Sequence, residues 1–161
     1  METRLGVEIE RKFLVADDSW KSAVTEAIRL EDGLVARFGG GKVRVRHGGD
    51  RAWITIKGPR DGCCRAEFEY EIPPDHAAEM LRLCQEPTVV KTRHCVPYAG
   101  HLWSVDVYEG LLAGTMIAEV ELSSADEAIQ LPPWIASEVT TDVRYSKQNM
   151  VRQASEGADQ D

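Results

Sequence analysis

The sequence predicts a mainly antiparallel β protein of the α+β class. The expected form is a meander of strands closed on itself, with helices packed outside and a further helix at the C-terminus. Segment after segment alternates β-branched or aromatic residues with charged ones, the period of two that marks a strand. Short breaks rich in Gly, Pro and Asp separate these segments, as hairpin links do. Closing the meander also removes the exposed edges that so many strands would otherwise present. With 161 residues the chain is expected to form one domain over 1–161 with a sizeable core.

Residues 6–15 give the first strand. Alternation puts Glu8, Glu10 and Lys12 on one face, and Val7, Ile9, Arg11 and Phe13 on the other. Asp17, Asp18 and Ser19 offer helix caps, and Trp20, Ala23, Val24, Ala27 and Ile28 recur at helical spacing, which predicts a short helix to about Arg29. Trp20 reads as packing. Gly33–Phe38 is the next strand, and Gly39-Gly40-Gly41 is a turn without the Lys-Ser/Thr and helix of a phosphate loop. A strand carrying Arg44 and Arg46 turns at Gly48-Gly49-Asp50 and returns from Trp53 to Lys57. After the loop 58–62, an acidic strand runs from Arg65 to Ile72. Pro73-Pro74 stops it, and Ala77, Met80, Leu81 and Cys84 form an apolar helical stripe to about Glu86. Residues 88–96 and 101–109 form a hairpin around 97–100, and Met116 to Leu122 is another strong strand. Ser124 with Glu127 has capping-box spacing, predicting a helix over 125–130 that ends at Pro132-Pro133. A short strand at 138–141, a helix from Ser146 to about Ala154, and a frayed tail over 156–161 complete the chain.

The charges come in blocks. Arg44 and Arg46 alternate with Val43 and Val45, Lys57 follows Ile56, and Lys91 and Arg93 follow Val89 and Val90. Glu67, Glu69 and Glu71 alternate with Phe68, Tyr70 and Ile72, Asp106 lies between Val105 and Val107, and Glu119 and Glu121 flank Val120. Two arrangements fit this pattern. With the charged faces outside, the sheet is a solvated surface around an apolar core. With the charged faces converging, basic strands hold anions and acidic strands hold cations in one cavity.

Glu8-Ile9-Glu10-Arg11-Lys12 is a Glu-x-Glu-x-Lys signature. It is followed in order by Val43-Arg44-Val45-Arg46, Thr55-Ile56-Lys57-Gly58, Arg65-Ala66-Glu67-Phe68-Glu69, Lys91-Thr92-Arg93, Trp103-Ser104-Val105-Asp106, Ala118-Glu119-Val120-Glu121 and Thr141-Asp142-Val143-Arg144-Tyr145. Over about residues 6–152 this ordered set resembles the CYTH superfamily of triphosphate tunnel metalloenzymes, most of all its short bacterial inorganic triphosphatases. The resemblance implies a closed eight-stranded tunnel with a charged lumen. It implies a metal site of Glu8, Glu10, Asp106, Glu119 and Glu121, with Glu67 and Glu69 as further acidic positions. Lys12, Arg44, Arg46, Lys57, Lys91, Arg93 and Lys147 match phosphate-binding positions, and Lys91 is the residue suspected of assisting catalysis beyond simple charge. Mg²⁺ or Mn²⁺ is the implied cofactor, with two ions during turnover, because hard cations take carboxylate oxygens. The implied reaction is in-line attack of a metal-activated water on inorganic triphosphate, releasing phosphate and pyrophosphate. By alternation Arg11 points outward and is left out.

Departures from the family pattern fall at the tunnel mouth and the C-terminal helix. Leu30-Glu31-Asp32-Gly33-Leu34 stands where Gln-Gly-Tyr-Leu is frequent. The loop 109–115 lacks the usual Asn, and Lys147 replaces another. Alternatives are a nucleoside or thiamine triphosphatase, a class IV-type adenylate cyclase, and a non-catalytic polyphosphate-binding module. Trp53 and Trp103 read as core or hairpin packing. The partner expected is a small polyanion, with monomer and homodimer both open. A net charge of −8 argues against nucleic acid, and no membrane span or signal peptide is read, so a cytoplasmic location is expected. Cys63, Cys64, Cys84 and Cys95 have neither zinc nor redox spacing and are expected as free thiols. The four histidines, His47, His76, His94 and His101, read as structural or surface residues.

Overall fold

Backbone hydrogen bonding closes the sheet into a ring. The computed structural model describes residues 6–158. Its strands are β1 (Val7–Val15), β2 (Glu26–Phe38), β3 (Gly41–Gly48), β4 (Arg51–Lys57), β5 (Cys64–Ile72), β6 (Val89–Tyr98), β7 (His101–Tyr108), β8 (Met116–Glu121) and β9 (Ile135–Glu138). The helices are α1 (Pro74–Leu83) and α2 (Lys147–Ala158). Strands run in the order β5-β4-β3-β2-β6-β7-β8-β1, and β1 returns to pair with β5, which closes an eight-stranded antiparallel barrel. Only Val7–Ile9 of β1 pairs with Cys64–Ala66 of β5; further along, β9 takes β1 beside Phe13 and Val15 as a ninth strand.

Hairpin geometry follows from turn residues. Gly39 and Gly40 both have positive φ, as do Ala99 and Gly100, the requirement of a two-residue turn that matches strand twist. The predicted helix to Arg29 is a correction. The chain forms only a 3₁₀ turn at Ser19–Ala23, and β2 then begins at Glu26. Its thirteen residues are laddered to β6 on one side and β3 on the other. The ladder to β6, which pairs Ala27 with His94 and Ile28 with Arg93, outweighs their weak helical spacing. The helix expected at 125–130 is absent too. Glu127 folds back, its carboxylate accepting bonds from the Ser123 Oγ and backbone N–H, at 2.9 and 3.3 Å. The short strand lies at 135–138 rather than 138–141, and α2 carries the chain in helical form through residue 158, so only 159–161 of the expected tail fall outside the described residues.

Three apolar clusters position the barrel. On the outer face, Phe13, Trp103, Val105, Ala118 and Val120 pack beneath Trp20 and Trp134. Trp103 stands 5.4 Å from Phe13 and 5.9 Å from Trp134, ring to ring, so it serves as core. A second cluster, Tyr108, Leu112, Ile117 and Val151 with Leu14, Met150 and Ala154, lies under α2. By strand parity Leu14, Tyr108 and Ile117 share the inward face with the charged residues, so this cluster forms an apolar floor at one end of the lumen. The third cluster, Val45, Ala52 and Ala77 with Met80 and Leu81, seats α1 on β2–β4.

Gly33 is what lets α1 lie so close. A Cβ built there would meet Cys84 Sγ and Leu81 Cδ2, each at 2.7 Å. Gly33→Ala is therefore expected to destabilise by about 1–3 kcal/mol through overpacking. The check is the urea midpoint at unchanged m-value; an unmoved midpoint would mean that α1 shifts freely over the sheet.

Candidate active site: a charged tunnel

The inward face of the barrel is the charged one, which settles the choice between the two arrangements. A cavity of about 670 Å³ runs through it. Its walls carry Glu8, Glu10 and Lys12 from β1, Arg44 and Arg46 from β3, and Lys57 from β4. Glu67 and Glu69 come from β5, Lys91 and Arg93 from β6, Glu119 and Glu121 from β8, and Lys147 from the start of α2. Asp106 of β7 lies just behind this lining and is fully enclosed. Arg11 points out and pairs with Glu138 at 2.7 Å.

Register explains the grouping. Glu10 is opposite Glu121 and Lys12 opposite Glu119 across β1–β8, which concentrates carboxylates on one wall. Lys42 faces Lys57 across β3–β4, and Arg93 faces Asp106 across β6–β7. Burial of Glu10, reinforced by the Glu119 and Glu8 carboxylates, pushes its carboxyl up to about 7. Glu8 and Glu121 are raised as well, mainly by burial, and for Glu8 also by a hydrogen bond to Glu67. Glu67 moves the other way: burial raises it, but the Glu8 hydrogen bond and Lys57 outweigh that. The two carboxyls are therefore pushed in opposite directions although both lie 3.1 Å from Lys57. In Glu119 burial and Asp106 push upward, yet Arg93, Lys12 and Lys91 win and hold it at about 2.

The cations are partly claimed by internal anions. Lys57 lies 3.1 Å from both Glu8 and Glu67. Asp106 accepts from Lys91 Nζ at 2.7 Å and from Arg93 Nε and Nη2 at 2.9 Å each. These two cations overcome its burial and hold its carboxyl well below the usual range. Both oxygens of Asp106 are therefore engaged, whereas the resemblance places it among the metal ligands. Asp32 accepts from Arg46 at 2.6 and 2.9 Å and from Lys147 at 2.9 Å. Arg44 has a looser hold, 3.4 Å from Thr55 and 3.7 Å from Glu69, and its buried Nε has no partner among the described residues.

A hard divalent cation fits the acidic wall. Glu8, Glu10, Glu119 and Glu121 offer carboxylate oxygens only, the donor set of Mg²⁺ or Mn²⁺. Their mutual repulsion lacks enough cationic relief, as the raised Glu10 records, and the buried Glu8 Oε1 is without a hydrogen-bond partner. Among the described residues no three His, Cys, Asp or Glu side chains form a preassembled cage.

Several tunnel residues escape the sequence reading. Lys42 continues the alternation of Arg44 and Arg46 by one step, so period two alone reaches it. Burial, with Lys57 and Arg44 nearby, brings it down to about 7. Arg65 shares parity with Glu67, and donates at 2.7 and 3.1 Å to the Gly58 carbonyl. Arg60 sits in a loop, 3.6 Å from Glu10, and has no sequence signal. Asp32 lies in the stretch expected to follow a helix, where strand parity was not applied. The histidines and cysteines stay outside the acidic wall and cationic set: His94 stacks near Trp20 at 4.9 Å, His101 pairs with Glu127 at 3.5 Å, and all four cysteines are free.

A closed antiparallel barrel whose lumen sets a carboxylate wall against lysines and arginines defines a narrow class of protein, and the chain belongs to the CYTH family: the CYTH domain model matches residues 6–155. An inorganic triphosphatase of Acetivibrio thermocellus is 38% identical over 149 residues, covering 92% of this chain and 95% of the relative. One of Nitrosomonas europaea is 34% identical over 142 residues, covering 86% and 92%. A crystal structure of an inorganic triphosphatase superposes with a TM-score of 0.63 at 32% identity, over 89% of this chain and 97% of that one. Among the described residues no helix is long and apolar enough to cross a membrane.

Proposed function

We propose that this chain is an inorganic triphosphatase, hydrolysing a phosphoanhydride of tripolyphosphate to phosphate and pyrophosphate with a divalent cation. The observation that carries the reading is one cavity with a cationic wall built for phosphates and a carboxylate wall built for a hard metal. The triphosphatase relatives at 38% and 34% identity over most of their length support it.

Lys12, Arg44, Arg46, Lys57, Lys91, Arg93 and Lys147 receive the phosphate oxygens. The arginines bond two oxygens at once, and the lysines act as point charges. Glu8, Glu10, Glu119 and Glu121 would hold the metal, with Glu67 joined to Glu8 through Lys57 and Glu69 steadying Arg44 through Thr55. When bound, the cation supplies Lewis acidity that offsets phosphate charge and lowers the pKa of water. Asp106 acts as a positioning residue, aiming Lys91 and Arg93 at the lumen. In the reaction a water oxygen bonds to the terminal phosphorus as the bridging P–O bond breaks and pyrophosphate leaves. The fixed lysines and arginines stabilise charge on the transferring group without reorganising, which is the largest contribution a preformed polar site makes.

A second cavity of about 580 Å³ adjoins the first. It shares Lys42, Arg44 and Lys147 with the tunnel and adds Leu34, Phe38 and Val89. This apolar wall favours, as a second reading, an organic triphosphate such as a nucleotide or thiamine triphosphate. Phosphate release from tripolyphosphate, ATP and thiamine triphosphate, with Mg²⁺, Mn²⁺ or chelator, separates the two. Metal-dependent release from tripolyphosphate above the others is expected. Release from ATP alone, or cyclic AMP with pyrophosphate, overturns the substrate. Tight polyphosphate binding unaffected by chelator and without turnover leaves a binding module.

A further inference from the structure

Asp32 has no part in the roles assigned above, yet at 3% exposure it is among the most enclosed charged groups of the chain. It sits on β2 directly across the ladder from Arg46 of β3. Its Oδ1 accepts from Arg46 Nε at 2.6 Å, and its Oδ2 accepts from Arg46 Nη2 at 2.9 Å and from Lys147 Nζ at 2.9 Å. The two bonds to one guanidinium fix its plane and leave Nη1 without a protein partner among the described residues. Lys147 needs its own anion. It stands in the first turn of α2, the end at which peptide dipoles disfavour a cation, and burial pushes its ammonium down while Asp32 pulls it back. Arg46 lines the tunnel, Asp32 the adjoining cavity, and Lys147 both, so the three form the partition between them.

We propose that Asp32 is a positioning residue of the tunnel. It orients Arg46 and Lys147 as a fixed pair of phosphate-binding cations and ties the amino end of α2 to β2. The inference rests on the triphosphate reading. Asp32 does not itself touch the substrate, since a carboxylate repels phosphate; it acts by deciding which edge of Arg46 faces the lumen. Its carboxylate also opposes, in part, the burial and the repulsion from Lys91, Arg44 and Arg46 that push the Lys147 ammonium down.

The test uses the full chain with Asp32→Asn, Lys147→Gln and the double variant. It reads kcat and KM for tripolyphosphate, melting temperature, and tripolyphosphate binding by calorimetry in chelator. Asp32→Asn is expected to raise KM about tenfold, the worth of one misdirected charge-assisted hydrogen bond. A smaller but clear rise is expected in the Lys147→Gln background, because Arg46 still loses its orienter there while the part carried by Lys147 is already gone. The melting-temperature loss, in contrast, shrinks in that background, because no buried ammonium is left alone. An effect on KM that vanishes with Lys147→Gln removes Arg46 from the pair, and one that tracks melting temperature across the series makes Asp32 merely structural; either overturns the proposal, as does an unchanged KM. If the unmodified chain fails to hydrolyse tripolyphosphate, the triphosphatase reading falls by itself. The calorimetric affinities of the same variants then decide on Asp32.

Discussion

Glu10→Gln is expected to make the metal-free protein more stable at pH 8 while lowering kcat/KM for tripolyphosphate by about 100-fold or more, the scale of losing one preorganised electrostatic group. The two effects share one cause. Burial, Glu119 and Glu8 lift the Glu10 carboxyl from 4.5 to about 7. Between those values the folded protein keeps a proton that the unfolded chain has released. The stability contributed by this group is therefore full below 4.5 and lost as pH rises through 7. A shift of that size corresponds to about 3 kcal/mol. At roughly 2–4 °C per kcal/mol for a chain of this length, Gln, which mimics the protonated carboxyl, should raise the apo melting temperature by several degrees at pH 8 and by little at pH 5. A divalent cation needs the ionised form, so its affinity for the unmodified protein should fall steeply as pH drops below about 7, with proton release on binding. Thermal melts at pH 5 and pH 8 with chelator, beside calorimetric metal titrations, measure each part. A variant that melts no higher at pH 8 would deny the carboxylate crowding, and one that keeps its activity would remove Glu10 from the metal site.

Alternation along strands makes the lumen-facing charged set legible in the chain, while parts of the fold are not. Strand period two places every second residue on one face, so naming Glu8, Glu10, Arg44, Arg46, Glu119 and Glu121 as a set required no knowledge of pairing. What alternation leaves open is which side of the sheet is the inside. Resemblance supplied the inward answer, and the apolar residues confirm it: Trp103, Val105, Ala118 and Val120 need the outer cover that Trp20 and Trp134 supply. The misread stretches are those where tertiary pairing overrides local preference. The segment 26–29 has helical spacing, but β6 takes it as a ladder partner from Glu26↔Cys95 to Arg29↔Thr92, and β2 runs on from there beside β3. The Ser124–Glu127 spacing predicts a capped helix, yet Glu127 bonds Ser123 instead, and Pro132-Pro133 cut the segment short. The helical spacing before it also hides Asp32. Once β2 is a strand, Asp32 falls opposite Arg46, and its role becomes a matter of register.

Register also sets up the largest stability effect expected in the molecule. Asp106→Asn should destabilise by about 3–5 kcal/mol, because it leaves buried cations without their counter-ion. Asp106 is 0% exposed and Lys91 2% exposed. Lys91 and Arg93 are both within 2.9 Å of its oxygens. Among the described residues Glu119, 3.6 Å from Arg93, is the anion that remains within ion-pair distance. The Asp106 carboxyl is held well below 3.8, so its contribution is complete at neutral pH and erodes only as pH falls below that value. The deficit of Asp106→Asn should accordingly be flat from pH 5 to pH 8, whereas the gain of Glu10→Gln grows over the same span. Lys91→Met on the Asp106→Asn background should return part of the loss, since it removes the unpaired charge and leaves an apolar chain where the ammonium now lies over the Tyr108 ring, 5.6 Å from its centroid. Chemical denaturation of the three proteins gives the coupling directly. Metal titration then separates two roles for Asp106. A positioning residue leaves metal affinity intact and raises KM for tripolyphosphate through misdirected Lys91 and Arg93; a metal ligand, the role its place in the family pattern implies, weakens the metal itself. A loss below about 1 kcal/mol would mean that Lys91 and Arg93 find other anions in the tunnel, and Asp106 would then not be what fixes them.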